Sequence, residues 1–397
     1  MKILWVKSDF LHPASGGGQI RTLETLKRLH QRHEIHFAAL DLPQPGSGLR
    51  RTSEYCTKAY AVSHPVPRKN GPRYWAQLAA GWWTSMPVAM LRYRSIALLR
   101  LVETLARLDK FDVTVCDFLA SAANVPDLSN AVLFQHNVES MIWKRYAEHA
   151  RTPWHRAYSR GQYERMLRYE AQVCGAAKKI IAVSSVDACA MHSLYGATGV
   201  CSVPTGVDIE YFAPPQSLSP NRSPAQDLVF LGAMDWRPNI DGVNWFVSRV
   251  LPLIRQRRPN CSLAIAGRNP TAGVRRLAAD DRHIHVTGTV DDARPYLWDS
   301  AVSIVPLRIG GGTRLKIYEA MAARTPVVST SVGAEGLDVH GGETIALADS
   351  PEEFADACVA LLDDAGARRR MASNAWEMVA ACYSWEVVSR KFEQLLA

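Results

Sequence analysis

The sequence predicts an α/β protein built from two doubly wound, parallel-sheet domains facing a central cleft. Three observations carry that expectation. Short, continuous apolar runs alternate with helical stretches along the chain, as strands buried on both faces of a parallel sheet should. An interval rich in proline and serine, Pro204–Pro224, splits the alternation into two series. Glycine-rich or polar turns follow several strands, and open α/β sheets bind ligands at that end.

In the first series the strand-like runs are Lys2–Val6, Glu34–Leu40, Asp112–Asp117, Ala131–His136 and Lys179–Ser184. Helical stretches fall at Ile20–His30, Ser95–Leu108, Tyr158–Cys174 and Val186–Tyr195. The second series has strands at Asp227–Met234, Ser262–Ala266, Ile284–Thr289, Val302–Leu307, Pro326–Val332 and Glu343–Leu347. Its helices are expected at Ile240–Gln256, Gly273–Ala279, Ala293–Trp298, Leu315–Ala323, Pro351–Asp363 and Ala367–Ala380, and an amphipathic stretch, Trp385–Leu396, closes the chain. The 397 residues, 47% hydrophobic and 21% charged, suit a soluble globular protein with two cores. Met1–Val6 reads as a first strand rather than a signal peptide, and no run is long enough to span a bilayer. The eight scattered cysteines show no C-x-x-C pair or zinc spacing, which fits the cytoplasm.

The net charge of +8 is uneven. Residues 67–110 hold eight Lys or Arg against two acids, with Trp75, Trp82 and Trp83 among them. That mixture suits peripheral contact with an anionic membrane at the inner face of the plasma membrane, or a lipid-linked acceptor. No helix-turn-helix, RNA-recognition or zinc-finger signature accompanies the charge, so nucleic acid is not expected as a partner.

The densest chemical signal lies between Ile304 and Leu337. An apolar strand runs into Gly310, Gly311 and Gly312. Thr313, Arg314 and Lys316 follow, then a helix carrying Glu319. Glycines let backbone N–H groups approach a phosphate, a helix start favours negative charge, and two cations add charge-assisted hydrogen bonds. Glu319 is placed to accept sugar or ribose hydroxyls. Gly16, Gly17 and Gly18 form a second phosphate-compatible loop after the first strand. With Asp41 they partly match a dinucleotide fingerprint, but Arg21 stands where the third glycine belongs. His136 ends an apolar strand, where it is suited to donate to a hydroxyl or move a proton. In the second series Arg237 and Asn239, Arg268, and Val290 sit in successive strand-end turns, together making a nucleotide site plausible. No Asp-x-Asp metal pair stands at a strand end.

These residues resemble the group 1, or family 4, glycosyltransferases of the GT-B fold, and most closely bacterial transferases of exopolysaccharide and related glycan assembly. The likeness rests on the Gly16–Gly18 loop with Arg21, QHNVES around His136, VSSVDA from Val183, PTGVD from Pro204, FLGAMDWRPN from Phe230, GTVDD from Gly288, PLRIGGGTRLKIYEAMA from Pro306 and YSWE from Tyr383. It implies an acceptor-side domain over 1–208, a nucleotide-sugar-binding domain over 209–381, and a terminal helix, 382–397, crossing back onto the first. It implies retaining, metal-independent transfer from a nucleoside-diphosphate sugar to a glycan, lipid-linked or small-molecule acceptor. Glu319 would hold the ribose hydroxyls and Gly310–Thr313 would lie against the donor's sugar and phosphate. Arg314 and Lys316 would neutralise the leaving diphosphate. Gly16–Gly18 would close over the phosphates, and His136 would reach the sugar's primary hydroxyl. Two departures stand out. The family's first glutamate is replaced by Gly311, and Gly242 occupies the spacing of its usual lysine. A sugar-nucleotide epimerase, an NAD-dependent enzyme and a non-catalytic sugar-nucleotide binder are the alternative readings.

Overall fold

The computed structural model describes residues 1–14, 16–41, 47–65, 71–72, 75–76, 79, 84–148, 150, 152–216, 224–309 and 315–396. Contacts divide the chain into two compact units, Met1–Pro204 with Val388–Ala397, and Thr205–Val387.

The first unit is a seven-stranded parallel sheet in the order β3-β2-β1-β4-β5-β6-β7. Its strands are β1 (Lys2–Lys7), β2 (Glu34–Asp41), β3 (Lys58–Ser63), β4 (Val113–Asp117), β5 (Ala131–Gln135), β6 (Lys179–Ala182) and β7 (Val200–Ser202). The helices that matter below are α1 (Gly17–His30), α2 (Ile96–Leu108), α3 (Glu139–Glu148), α4 (Pro153–Ala176) and α5 (Ser185–Tyr195). Side chains alternate across a strand, so β1 feeds two cores. Leu4 and Val6 join Leu40, Leu133 and Met166 on one face. Trp5 points to the other, where its ring lies 6.3 Å from Phe134 and 5.7 Å from Phe392 of the last helix. All three rings are buried, each contributing about 2–3 kcal/mol.

The second unit is a six-stranded parallel sheet in the order β10-β9-β8-β11-β12-β13. It comprises β8 (Gln226–Leu231), β9 (Leu263–Ala266), β10 (Ile284–Gly288), β11 (Ser300–Val305), β12 (Val327–Ser329) and β13 (Ala346–Leu347). Its helices include α6 (Ile209–Phe212), α7 (Arg237–Trp245), α8 (Leu251–Arg257), α9 (Ala272–Asp280), α10 (Arg294–Trp298), α11 (Leu315–Ala322), α12 (Pro351–Asp363) and α13 (Ala365–Cys382). The final helix, α14 (Trp385–Leu396), starts here.

The strands absent from the sequence reading, β3 and β7, are the two edges of the first sheet. β3 mixes exposed and half-buried residues, with none fully buried, instead of forming an apolar run. α3 was also not expected. Its first amides are capped from another helix: Glu139 N–H donates to Glu170 Oε1 at 2.8 Å and Ser140 N–H to Glu170 Oε2 at 2.9 Å. A cap supplied thirty residues away leaves no local signal.

Two of the motifs quoted above meet inside the second unit. Val207 N–H donates to the Tyr383 carbonyl at 2.8 Å, and Trp385 N–H donates to the Val207 carbonyl at 3.2 Å. Gly206 is required there, because a Cβ would lie 2.4 Å from the Trp385 ring. Among the described residues no helix is long and apolar enough to cross a membrane.

Candidate functional site

Each unit gathers polar residues at the carboxyl ends of its central strands. In the first, the group is centred on Asp117, the last residue of β4, which is fully buried. Its Oδ2 accepts from Trp5 Nε1 at 3.0 Å and from Thr22 Oγ1 at 2.8 Å. Lys7 Nζ lies 3.3 Å from the same oxygen. Its Oδ1 is 2.7 Å from His136 Nε2, and Arg21 Nη1 is 3.0 Å from His136 Nδ1. Arginine only donates, so Nδ1 accepts and the imidazole proton sits on Nε2.

Burial pushes His136 down to about 3, against the pull of Asp117. Burial alone would raise the Asp117 carboxyl, but Lys7 and the hydrogen bonds from His136 and Trp5 prevail and hold it well below the usual range. Arg21 is lowered by burial to about 10 and stays charged at neutral pH. His136 is accordingly neutral with both ring nitrogens engaged. Direct contact with a substrate hydroxyl would require one of these bonds to break. Its nitrogen-15 chemical shifts are expected to stay those of a neutral Nε2–H imidazole from pH 8 to pH 5. A titration midpoint near the unperturbed value, about 6.5, would contradict this geometry.

Phe118 completes the group. Its φ of +68° is unusual for a residue with a side chain. That conformation lays the ring parallel to His136, centroids 3.8 Å apart, with Lys7 Nζ 4.0 Å from the ring centroid. The same ring explains Gly18: a Cβ there would come within 2.4 Å of Phe118 Cζ. Gly16 and Gly17 are exposed at the start of α1. Lys7, Asp117 and Phe118 escaped the sequence reading. The available signal was a charged residue ending each of two adjacent apolar strands.

In the second unit α11 carries Lys316 and Glu319, one turn apart on the same side of the helix. Lys316 Nζ donates to Asn239 Oδ1 at 2.9 Å and lies 4.4 Å from the centroid of the Phe230 ring. Asn239, buried near the start of α7, also donates to the Ala233 carbonyl at 2.8 Å. Gly232 makes room for both: a Cβ there would stand 2.6 Å from Asn239 Nδ2 and 2.8 Å from Lys316 Nζ. Gly267 is needed for a similar reason, its Cβ position falling 1.8 Å from the Gly232 carbonyl oxygen. Burial lifts Glu319 to about 6, and Lys316 opposes the rise.

Gly242 packs against the end of β11, where a Cβ would meet the Pro306 carbonyl oxygen at 2.6 Å. A lysine does not fit there, and Lys316 brings an ammonium to the neighbouring strand end instead. Arg237, the first residue of α7, and Arg268, in the turn after β9, are exposed. Val290 lines a groove with Gln226, Ala264, Pro295 and Tyr296. Gly310, Gly311, Gly312, Thr313 and Arg314 lie outside the described residues. The residue two before them, Arg308, was not singled out in the sequence. It donates to both oxygens of Asp241 on α7, at 2.7 and 3.0 Å, fixing the approach to the glycine run. Among the described residues no three His, Cys, Asp or Glu side chains cluster as metal ligands would.

Residues 225–364 match the family model described as glycosyl transferases group 1. That stretch is similar to group 1 glycosyltransferase domains. The segment contains β8 to β13 and the whole Asn239–Lys316–Glu319 arrangement. Curated relatives include an uncharacterized 44.6 kDa protein from the cps region of Klebsiella pneumoniae, 27% identical over 177 residues, covering 42% of this chain and 45% of the relative. Another is the D-inositol 3-phosphate glycosyltransferase of Kribbella flavida, 31% identical over 244 residues and covering 56% of each chain. The chain thus spans about half the length of the curated relatives it matches. Among solved structures, HepE of Anabaena in complex with UDP superposes over 100% of this chain and 99% of its own, with a TM-score of 0.68 and 15% identity. That likeness is one of fold: two Rossmann-like units, as in GT-B glycosyltransferases.

Proposed function

We propose that the protein is a retaining glycosyltransferase that moves a sugar from a nucleoside-diphosphate sugar to a hydroxyl acceptor and requires no metal ion or other cofactor. The observation that carries the reading is the pairing, inside the group 1 domain, of a carboxylate in a protected site with an ammonium held by Asn239. Glu319, as a carboxylate, accepts the two ribose hydroxyls of the donor. Lys316 binds the diphosphate, joined by Arg314 and the backbone amides of Gly310–Thr313, and Arg237 and Arg268 supply further positive charge. Cleavage of the anomeric C–O bond leaves the electron pair on the diphosphate oxygen. Cations positioned beforehand stabilise that charge without reorganisation. The leaving phosphate takes the proton of the acceptor hydroxyl as the new C–O bond forms on the same face, so no covalent enzyme intermediate is needed. His136 and Arg21 act by holding Asp117 and Phe118 beside the Gly16–Gly18 turn.

The acceptor is a hydroxyl on a glycan, a lipid-linked sugar or a small polyol, and the working site is the cytoplasmic side of a membrane. In segment 67–110, Trp75, Ile96 and Leu108 are exposed hydrophobics, and Arg94, Arg100, Arg107 and Lys110 are exposed cations. Trp82 and Trp83 lie outside the described residues. The test is incubation with UDP-, GDP-, ADP- and dTDP-sugars plus candidate acceptors. Acceptor-dependent nucleoside diphosphate release with an α-linked product from an α-linked donor is expected. An inverted product, or binding without turnover of any donor, would overturn the reading.

A further inference from the structure

The α3–α4 hairpin is longer than the sheet it serves. Because β5 and β6 are parallel, the chain leaves β5 at the carboxyl edge and must re-enter at the opposite edge. α4 makes that return with 24 residues, about 36 Å of helix. β6 has four residues, roughly 13 Å of strand. The first turns of α4 therefore overrun the sheet and project past the edge that carries Gly16–Gly18 and His136. Burial agrees. Gln162, Met166 and Glu170 are fully buried, with Gln162 accepting from Val88 N–H at 3.0 Å, whereas Pro153–Ala157 are all exposed.

The projecting tip has a specific surface. Tyr146 is 60% exposed and Trp154 62%. Trp143 ties the two helices together, its ring 5.8 Å from Tyr146 and 6.4 Å from Tyr158. Lys144 and Arg145 on α3 and Arg156 and Arg160 on α4 are exposed as well. Between Trp143 and Arg160 the sequence holds five cations against one carboxylate. The exposed Arg160–Glu164 pair, at 3.6 Å, neutralises little in water.

We propose that the α3–α4 tip is a docking surface for an anionic lipid bilayer, with Tyr146 and Trp154 at headgroup depth and the four exposed cations on lipid phosphates. Large rings with one polar end favour the membrane interface, and clustered Lys and Arg are drawn to anionic leaflets. A second copy of the chain would bring like charges together and fits the patch less well. The position gives it a use: the bilayer would lie close to the ligand-facing edge of the first unit, where a lipid-borne acceptor would be presented.

The test is co-sedimentation of the full chain with phosphatidylcholine vesicles, with and without phosphatidylglycerol, at low and high salt. Binding is expected only to the anionic vesicles and to weaken at high salt. The paired substitutions Tyr146→Ala with Trp154→Ala, and Lys144→Glu with Arg156→Glu, should each lower partitioning about tenfold or more. The thermal shift given by the best donor nucleotide should be retained in both, which separates this result from any failure of the transferase reading. Variants that bind like the wild type would overturn the proposal and place any membrane contact elsewhere, such as 67–110. So would absence of binding to anionic vesicles, or self-association in sedimentation velocity that the ring substitutions abolish.

Discussion

Glu319→Gln is expected to lower kcat/KM for the nucleotide sugar about a hundredfold while raising the melting temperature. The loss follows from replacing a charged acceptor of two ribose hydroxyls with an amide that matches them poorly, on the order of 3 kcal/mol. The gain has a separate origin. Burial raises the Glu319 carboxyl from 4.5 to about 6 in the folded chain. Between these values the unfolded chain gives up its proton while the folded chain retains it. Stability therefore falls as pH rises through that window, and the deficit, about 1–2 kcal/mol, persists at neutral pH. Glutamine carries no such penalty. The same ionisation sets the kinetics: donor KM should climb as pH drops below about 6, because the protonated acid loses its charged acceptor. Steady-state kinetics from pH 5 to 8, with melting curves of both proteins at pH 7.5, check all three parts. A variant that melts lower and turns over normally would make Glu319 a packing residue.

Asp117→Ala is expected to be the most destabilising single change in the first unit. It takes the nearer carboxylate from the Lys7 ammonium, which is 1% exposed and keeps only Asp9 at 3.8 Å, and leaves Trp5 Nε1–H, Thr22 Oγ1–H and His136 Nε2–H without their acceptor. Removing one partner of a buried ion pair costs about 3–5 kcal/mol, enough to lower the melting point by roughly 10 °C in a unit of this size. The companion substitution Lys7→Met should restore part of that loss, since it removes a buried charge left with only the longer contact to Asp9. A double-mutant cycle measures the coupling. Additive effects would mean that Lys7 and Asp117 are not a pair in solution.

The sequence revealed what is repetitive and concealed what is made by distant parts of the chain. Largely buried strands announced themselves as apolar runs, so β1, β2, β4, β5, β6, β8, β9, β11 and β12 were legible, and the edge strands β10 and β13 of the second sheet were read as well. β3 and β7 pair on one side only and lack that pattern. α3 was hidden because Glu170, on α4, supplies its cap. Motif spacing brought Asn239, Lys316 and Glu319 into view, and the structure joins Asn239 to Lys316 directly. It could not show that His136 spends both nitrogens on Asp117 and Arg21, because that depends on the register of β4 against β5 and on the backbone turn at Phe118. Nor could it show why Gly242 replaces a lysine, since the obstacle is a carbonyl sixty-four residues away.

On the proposed reading α11 holds the donor nucleotide. A crystal structure of the chain with a bound nucleoside-diphosphate sugar, chosen by thermal shift, tests it most directly. The ribose hydroxyls should lie within hydrogen-bond distance of the Glu319 carboxylate, with a diphosphate oxygen on Lys316 Nζ. A nucleotide seated elsewhere, with Lys316 still on Asn239 and Glu319 untouched by ligand, would contradict it.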